Sequence, residues 1–332
     1  MSLDTEASAA LVFLILYFIL FTFLSMGYVT GRIRVRSRYS IIMFHVLVRL
    51  AAQATGLAFG IVGYSATNLL VAYFVLYVAW YRCNLSCRIL TNFDRGAEGY
   101  FTLVLCAYRF LISWQYHNTL QHNSWLEPRH PPGTPLSKRF LASLSISKPY
   151  NPMATMHYFL IGANAIIIAG GSLLAGGQAN FNANFTTAKA MRAAGQSIFL
   201  AINVCLLYCI YDAIVQFKRE RGGAIHRTLL LLLAIWPLLF VRGVYGILSA
   251  VVPAFNYFSP SNYDEHGLTT SFVISEYILS TTMEWSSCAL LMLTYVTSLN
   301  DPTKGALKEW DGVGTEMPEF ERDARKREGL NV

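Results

Sequence analysis

The chain has 332 residues, of which 54% are hydrophobic and only 14% are charged, with a formal net charge of +7. A soluble domain carries roughly 25% charged residues, so this composition excludes a water-soluble protein of this length. The positive charge does not indicate a nucleic-acid partner, because the basic residues lie in short segments between long apolar blocks.

The apolar blocks predict an all-α, polytopic membrane protein with a seven-helix bundle. Most blocks exceed the roughly 20 residues that cross the hydrocarbon core of a bilayer. The predicted helices of this transmembrane domain, residues 1–298, are 8–28, 40–62, 66–116, 153–175, 193–217, 228–252 and 270–298. The charged tail that follows, 299–332, is predicted to be disordered and cytoplasmic.

The distribution of Lys and Arg predicts the orientation. Segments 29–39, 117–152 and 218–227 hold twelve basic residues, whereas the segments that alternate with them hold only Lys189 and Arg192. Because cytoplasmic loops carry the excess of Lys and Arg, we expect the N-terminus outside and the C-terminus in the cytoplasm. The membrane itself is either the plasma membrane or the endoplasmic reticulum.

The third predicted helix contains an irregular excursion over residues 77–95. Two full crossings between 66 and 116 would place every later basic loop outside, so the charges favour a single crossing. The excursion is then either a re-entrant or interfacial loop, or an insertion such as translated intron sequence. Joining residue 76 directly to residue 96 gives one continuous apolar helix, AYFVLGAEGYFTLVLCAYRFLISW.

Ionisable residues inside the predicted spans are the candidate site, because such groups are costly in a membrane and mark function or structural pairs. This intramembrane polar cluster consists of His45, Arg49, Arg109, Asp212, Arg242, Glu276 and Glu284. Helical depth, at about 1.5 Å per residue, predicts three pairs, which are Arg242–Glu276, Arg49–Glu284 and Arg109–Asp212. The pairs either only hold the bundle together or line a polar cavity for a ligand.

Other patterns predict a glycosylated outer loop and no bound metal. Asn184 begins the sequon Asn-Phe-Thr on the side predicted to be outside. His117, His122 and His130 have no zinc-site spacing. No cofactor motif is present, so we expect neither a cofactor nor a metal.

Several stretches resemble a family of fungal seven-helix integral membrane proteins of unknown function. They are GAEGYFTLVLCAYRFL (96–111), MRAAGQSIFLAINV (191–204), WPLLFVRGVYGIL (236–248) and ISEYILSTTMEWSSCALLMLTY (274–295). The order Arg242, Tyr245 and then Glu276 is also distantly similar to the fungal lipid-translocating exporter family. Gly246 departs from that pattern, where a basic residue is usual, and the excursion 77–95 fits neither family.

These features predict a protein that handles a lipid or small apolar molecule, as a receptor-like or transport protein without enzymatic activity. The expected partners are membrane lipids and a small apolar ligand. The alternative is a membrane-embedded enzyme of fungal secondary metabolism, such as a terpene cyclase. In that enzyme Glu276 or Glu284 would be the catalytic general acid that protonates an alkene or epoxide.

Overall fold

The structure, a computed structural model, describes residues 5–33, 37–62, 99–119, 123–128, 151–175, 181–222, 225–256, 259–264 and 267–298. The helices are α1 (Thr5–Val29), α2 (Tyr39–Val62), α3 (Gly99–Asn118), α4 (Pro152–Ala175), α5 (Phe181–Arg221) and α6 (Arg227–Val251). The last helix is interrupted, and consists of α7 (Thr270–Glu276), a π-helical segment (Tyr277–Thr282) and α8 (Met283–Ser298). The excursion 77–95 and the tail 299–332 lie outside the described residues.

Two short 3-10 turns and a two-stranded ribbon connect α6 to α7. The turns are Pro253–Phe255 and Pro260–Asn262, and the antiparallel strands are β1 (Tyr263–Asp264) and β2 (Gly267–Leu268). The rest of the described chain is helical apart from its connecting segments, so the predicted all-α fold is confirmed.

Five helices in the described part of the chain are long and apolar enough to cross a membrane. They are Thr5–Val29, Tyr39–Ala58, Pro152–Leu173, Phe185–Glu220 and Arg227–Val251. Large apolar side chains such as Phe18 (58% exposed), Phe23 (65%) and Tyr208 (67%) lie on their outer surfaces. Exposed apolar side chains on five helices of this length and hydropathy are suited to contact with lipid, so the chain is a membrane protein.

The inner surface of α1 shows how this amphipathic arrangement arises. Its buried residues, Ala7, Ala10, Tyr17, Leu20 and Leu24, are spaced three, four or seven apart. That spacing places them on one helical stripe. The stripe faces α2 and carries a single large polar side chain, Tyr17, toward the interior of the bundle.

Helix α3 lies in the centre of the bundle. Every one of its residues except Arg109 is buried, and it packs against α2, α4, α5, α6 and α8. A helix surrounded by protein has no lipid-facing side. Its polar residues therefore contact other helices rather than hydrocarbon.

Contacts between helix ends show which ends of the helices lie together. Arg38, which precedes α2, donates to Ser113 Oγ of α3 (2.6 Å) and to Ser298 Oγ of α8 (3.3 Å). Thr228 of α6 bonds to Thr297 of α8 (3.1 Å). The start of α2 and of α6 thus meets the end of α3 and of α8, and α3 runs antiparallel to α2.

Helix α5 is longer than the sequence predicts. It begins at Phe181 rather than at residue 193 and contains 41 residues, which is about 60 Å at 1.5 Å per residue. This is about twice the thickness of the hydrocarbon core. The residues added at its start, FNANFTTAKAMR (181–192), contain no Pro or Gly to stop the helix.

A close approach between α4 and α5 depends on Gly195. A Cβ at this position would lie 2.5 Å from Ile167 Cγ1 and 2.7 Å from the Ala163 carbonyl oxygen. Small residues allow membrane helices to approach closely enough for backbone contact. Gly195 therefore permits the tight α4–α5 pair.

Candidate functional site

A carboxylate held by two arginines lies in the interior of the bundle. Arg242 Nε of α6 donates to Glu284 Oε1 at 2.6 Å, and Arg49 of α2 forms an ion pair with Glu284 Oε2. Glu284 is fully buried, and the two arginines are 8% and 7% exposed. We call these three residues the Glu284 cluster.

Helix α3 begins directly against this cluster, and the residue at its start is glycine. A Cβ on Gly99 would overlap the guanidinium of Arg49 and lie 2.7 Å from Glu284 Oε2. The absence of a side chain at Gly99 therefore makes room for the ion pair. The ring of Tyr100, the next residue, lies 5.7 Å below the guanidinium carbon of Arg242, a distance at which the ring face attracts a cation.

Two of the predicted ion pairs can be compared with the geometry of the cluster. The predicted Arg49–Glu284 pair is present. Arg242 binds the same carboxylate, whereas depth along the helix predicts Glu276 as its partner. Glu276 is half-buried at the end of α7, and its pairing with Arg242 stays a prediction.

The predicted Arg109–Asp212 pair is wrong. Arg109 Nη1 instead bonds to Glu127 Oε2 at 2.7 Å, and Asp212 borders a shallow surface groove on α5 with Gln216 and Arg219. Equal depth does not make two side chains face each other. Residues 123–128 fold back against the end of α3, where Tyr116 Oη donates to the Glu127 carbonyl, and this places Glu127 beside Arg109.

His45 lies one helical turn from Arg49 on α2 and is 1% exposed. Its Nδ1 lies 2.8 Å from Thr102 Oγ1, and the Thr102 hydroxyl donates to the Gly99 carbonyl oxygen at 2.9 Å. Because a carbonyl oxygen only accepts, both contacts are hydrogen bonds at once when Thr102 donates to Gly99 and accepts from His45. We therefore assign the ring proton to Nδ1.

The tautomer leaves His45 Nε2 as a buried acceptor. Nε2 has no hydrogen-bond partner among the described residues, and the same is true of the hydroxyl group of Tyr17. Tyr17, on the buried stripe of α1, is 0% exposed and its ring centroid lies 6.4 Å from that of His45. Its hydroxyl is close enough to Arg49 and Glu284 to interact electrostatically with both.

Sequence reasoning missed Tyr17 because a tyrosine carries no charge and is common in membrane helices. The signal that could have found it is its spacing, since it is the large polar residue on the stripe of α1 that the structure buries. Gln53, one turn beyond Arg49, was missed for the same reason. Gln53 Oε1 accepts from Tyr277 Oη at 3.2 Å, which extends the polar face of α2 toward the π-helical segment.

Two further predictions concern glycosylation and metal binding. Asn184 lies within α5 and not in a loop, because the helix extends into the predicted outer segment; glycosylation there stays a prediction. In the portion of the chain that the structure describes, no group of three His, Cys, Asp or Glu side chains is placed to hold a metal ion.

Comparison with known proteins does not assign the chain to a family. No protein family matches it, and neither a curated protein nor a solved structure is significantly similar to it.

Proposed function

We propose that the chain is a seven-helix membrane protein that binds the polar head of a lipid or a lipid-like small molecule in its interior, without transforming it. The observation that carries this proposal is the buried Glu284 cluster together with the unsatisfied polar atoms beside it. We also propose, from the sequence resemblance, that the chain is related to the fungal seven-helix membrane proteins and more distantly to the lipid-translocating exporters.

The energetic argument separates a binding site from a purely structural ion pair. A structural pair would be complete when its charges and hydrogen bonds are matched. Here Tyr17 Oη, His45 Nε2 and Tyr245 Oη are buried without a hydrogen-bond partner among the described residues, at a cost of about 1–3 kcal/mol for each group. A polar ligand head would satisfy such atoms, while its apolar tail would lie along the bundle.

The proposed topology has seven crossings with the N-terminus outside. Helix ends that the structure brings together support it, because the Arg38 end of α2 meets the ends of α3 and α8. The ring centroids of Trp114 of α3 and Phe217 of α5 are 5.6 Å apart. The Lys218–Arg221 end of α5 therefore lies at this same end of the bundle. Arg38 and the Lys218–Arg221 segment thus lie at the same end of the bundle, an arrangement that fits the positive-inside rule for a cytoplasmic face.

The enzymatic alternative has less support from the geometry. A general acid must hold a proton within reach of its substrate. Both oxygens of Glu284 already bind arginine side chains, and that arrangement favours the ionised carboxylate. Glu276 is half-buried at the end of α7.

The test is to identify the lipids that copurify with the protein from its native membrane. The variant Arg242→Gln leaves a balanced Arg49–Glu284 pair but removes one polar wall of the site. The matched control is Arg109→Gln, because Arg109 belongs to a separate pair at the edge of the bundle. We expect one amphiphile to be enriched over the bulk membrane with wild type and control and to be lost with Arg242→Gln. An identical lipid profile for all three proteins would overturn the proposal.

A further inference from the structure

His45 of α2 and Tyr17 of α1 lie side by side next to the Glu284 cluster, with ring centroids 6.4 Å apart. Both side chains are at least 99% buried, and both have one polar atom without a hydrogen-bond partner in the described structure. Such atoms are rare in native proteins and call for an explanation. Burial disfavours a charged ring at His45, and of the nearby charges the two arginines also oppose it whereas Glu284 favours it.

We propose that His45 and Tyr17 bind a hydroxyl group, so that the ligand is an alcohol. This inference rests on the proposed function, because it names the chemistry of the head that the site takes. The ligand hydroxyl donates its hydrogen to His45 Nε2, and its oxygen accepts the hydrogen of the Tyr17 hydroxyl. One oxygen atom thereby satisfies both buried groups.

Ether, ketone, carboxylate and quaternary ammonium head groups each leave at least one side of this pair unsatisfied. An ether or a ketone accepts from Tyr17 but has no hydrogen for His45. A carboxylate also lacks the hydrogen, and the negative charge of Glu284 lies beside it. A quaternary ammonium group neither donates nor accepts a hydrogen bond. The Thr102 hydroxyl determines this selectivity, because its bond to the Gly99 carbonyl fixes the proton of His45 on Nδ1.

The test compares an alcohol with its methyl ether on the full chain in proteoliposomes. A long-chain primary alcohol with a photoreactive diazirine in its tail labels the protein, and dodecanol or dodecyl methyl ether competes with it. We expect dodecanol to compete at a concentration about three- to tenfold below that of the ether, the effect of one neutral hydrogen bond.

The variant Tyr17→Phe removes the hydroxyl and keeps the ring. It should weaken competition by dodecanol about three- to tenfold. Tyr28→Phe is the matched control, because Tyr28 is also on α1 but lies three turns away, at the end of the helix, where it bonds to Ser40. Dodecanol should compete for labelling of this variant at the same concentration as for the wild-type protein.

Two results would overturn the inference while leaving the proposed function intact. One is equal competition by alcohol and ether in the wild-type protein, a comparison that does not depend on any variant folding. The other is unchanged competition in a folded Tyr17→Phe protein. Failure of the proposed function looks different, because then no amphiphile copurifies selectively with the wild-type protein and the Arg242→Gln variant has the same lipid profile.

Discussion

Glu284 contacts two guanidinium groups that come from different helices, and this makes it the most consequential single side chain in the described interior. Glu284→Gln leaves Arg49 and Arg242 buried without a carboxylate. Removing one member of a buried charge group costs about 3–5 kcal/mol. We expect a large fall in the thermal unfolding temperature, measured on the purified protein in detergent.

The control for this variant is Glu127→Gln. Its pair with Arg109 has side chains that are 32% and 36% exposed, and exposed pairs contribute about 0–1 kcal/mol. Equal shifts for the two variants would contradict the assignment of Glu284 as the centre of a buried cluster.

Thr102 is a positioning residue for His45, and its role can be tested by Thr102→Val, which has a similar shape. The valine cannot accept from Nδ1, so the ring proton is free to move to Nε2, which then becomes a donor. We expect the preference for dodecanol over its methyl ether to fall toward unity in the photolabelling competition. A retained preference would show that Thr102 does not fix the tautomer.

At this scale the sequence identifies charged groups better than their partners. Arg49, Arg242 and Glu284 are recognisable because charges inside apolar blocks are costly. The shared carboxylate and the Arg109–Glu127 pair are not, because they depend on which helix faces are neighbours and on how residues 123–128 fold. Tyr17 and Gln53 escape notice because uncharged polar residues carry a weaker signal.

Among the helical elements, the α4–α5 contact makes the clearest stability prediction. Gly195→Ala places a methyl group against Ile167 and the Ala163 carbonyl, and such overpacking costs about 1–3 kcal/mol. We expect a lower unfolding temperature in a fluorescence-detected thermal melt.

Gly162→Ala is the matched change on α4. A Cβ at Gly162 meets no atom within 4 Å, so the better helix propensity of alanine should stabilise the protein by up to about 1 kcal/mol. The two glycine variants should therefore move the unfolding temperature in opposite directions. If both variants shifted the unfolding temperature in the same direction, α4 and α5 would be farther apart than in the structure.

The elements themselves are partly predictable from the sequence. Long apolar blocks predict the positions of α1, α2, α4 and α6 because hydropathy follows burial in lipid. Hydropathy cannot predict that α5 continues for several turns into polar sequence, since a helix outside the membrane needs no apolar side chains. Nor does it predict the π-helical segment Tyr277–Thr282, which changes the backbone hydrogen-bonding pattern without changing the composition.

At the scale of the whole molecule, the prediction concerns orientation. A glycosylation tag placed before residue 1 should be modified, and the same tag after residue 332 should not, as read from the mobility shift on a gel after glycosidase treatment.

Replacing Arg32, Arg34, Arg36 and Arg38 by Gln removes a third of the twelve basic loop residues. This variant should insert in both orientations, so that each tag is modified in part of the molecules, because these arginines hold the first loop in the cytoplasm.

The opposite result is equally clear to read. Modification of the C-terminal tag alone would show that the orientation is the reverse of the predicted one. Modification of both tags would show an even number of crossings, and the extra or missing crossing would then lie in the third predicted helix.

The burial of α3, on all but its Arg109 side, has a consequence for how the protein is made. Most of the helices that cover it, namely α4, α5, α6 and α8, are synthesised after it. Until they appear, its polar residues, among them Thr102, Ser113 and Gln115, would face lipid, where unsatisfied polar groups are costly. The helix therefore cannot reach its final position when it leaves the ribosome. The arrival of α8, the last helix of the bundle, encloses α3 and supplies Glu284 in the same step, so assembly of the core and completion of the site coincide.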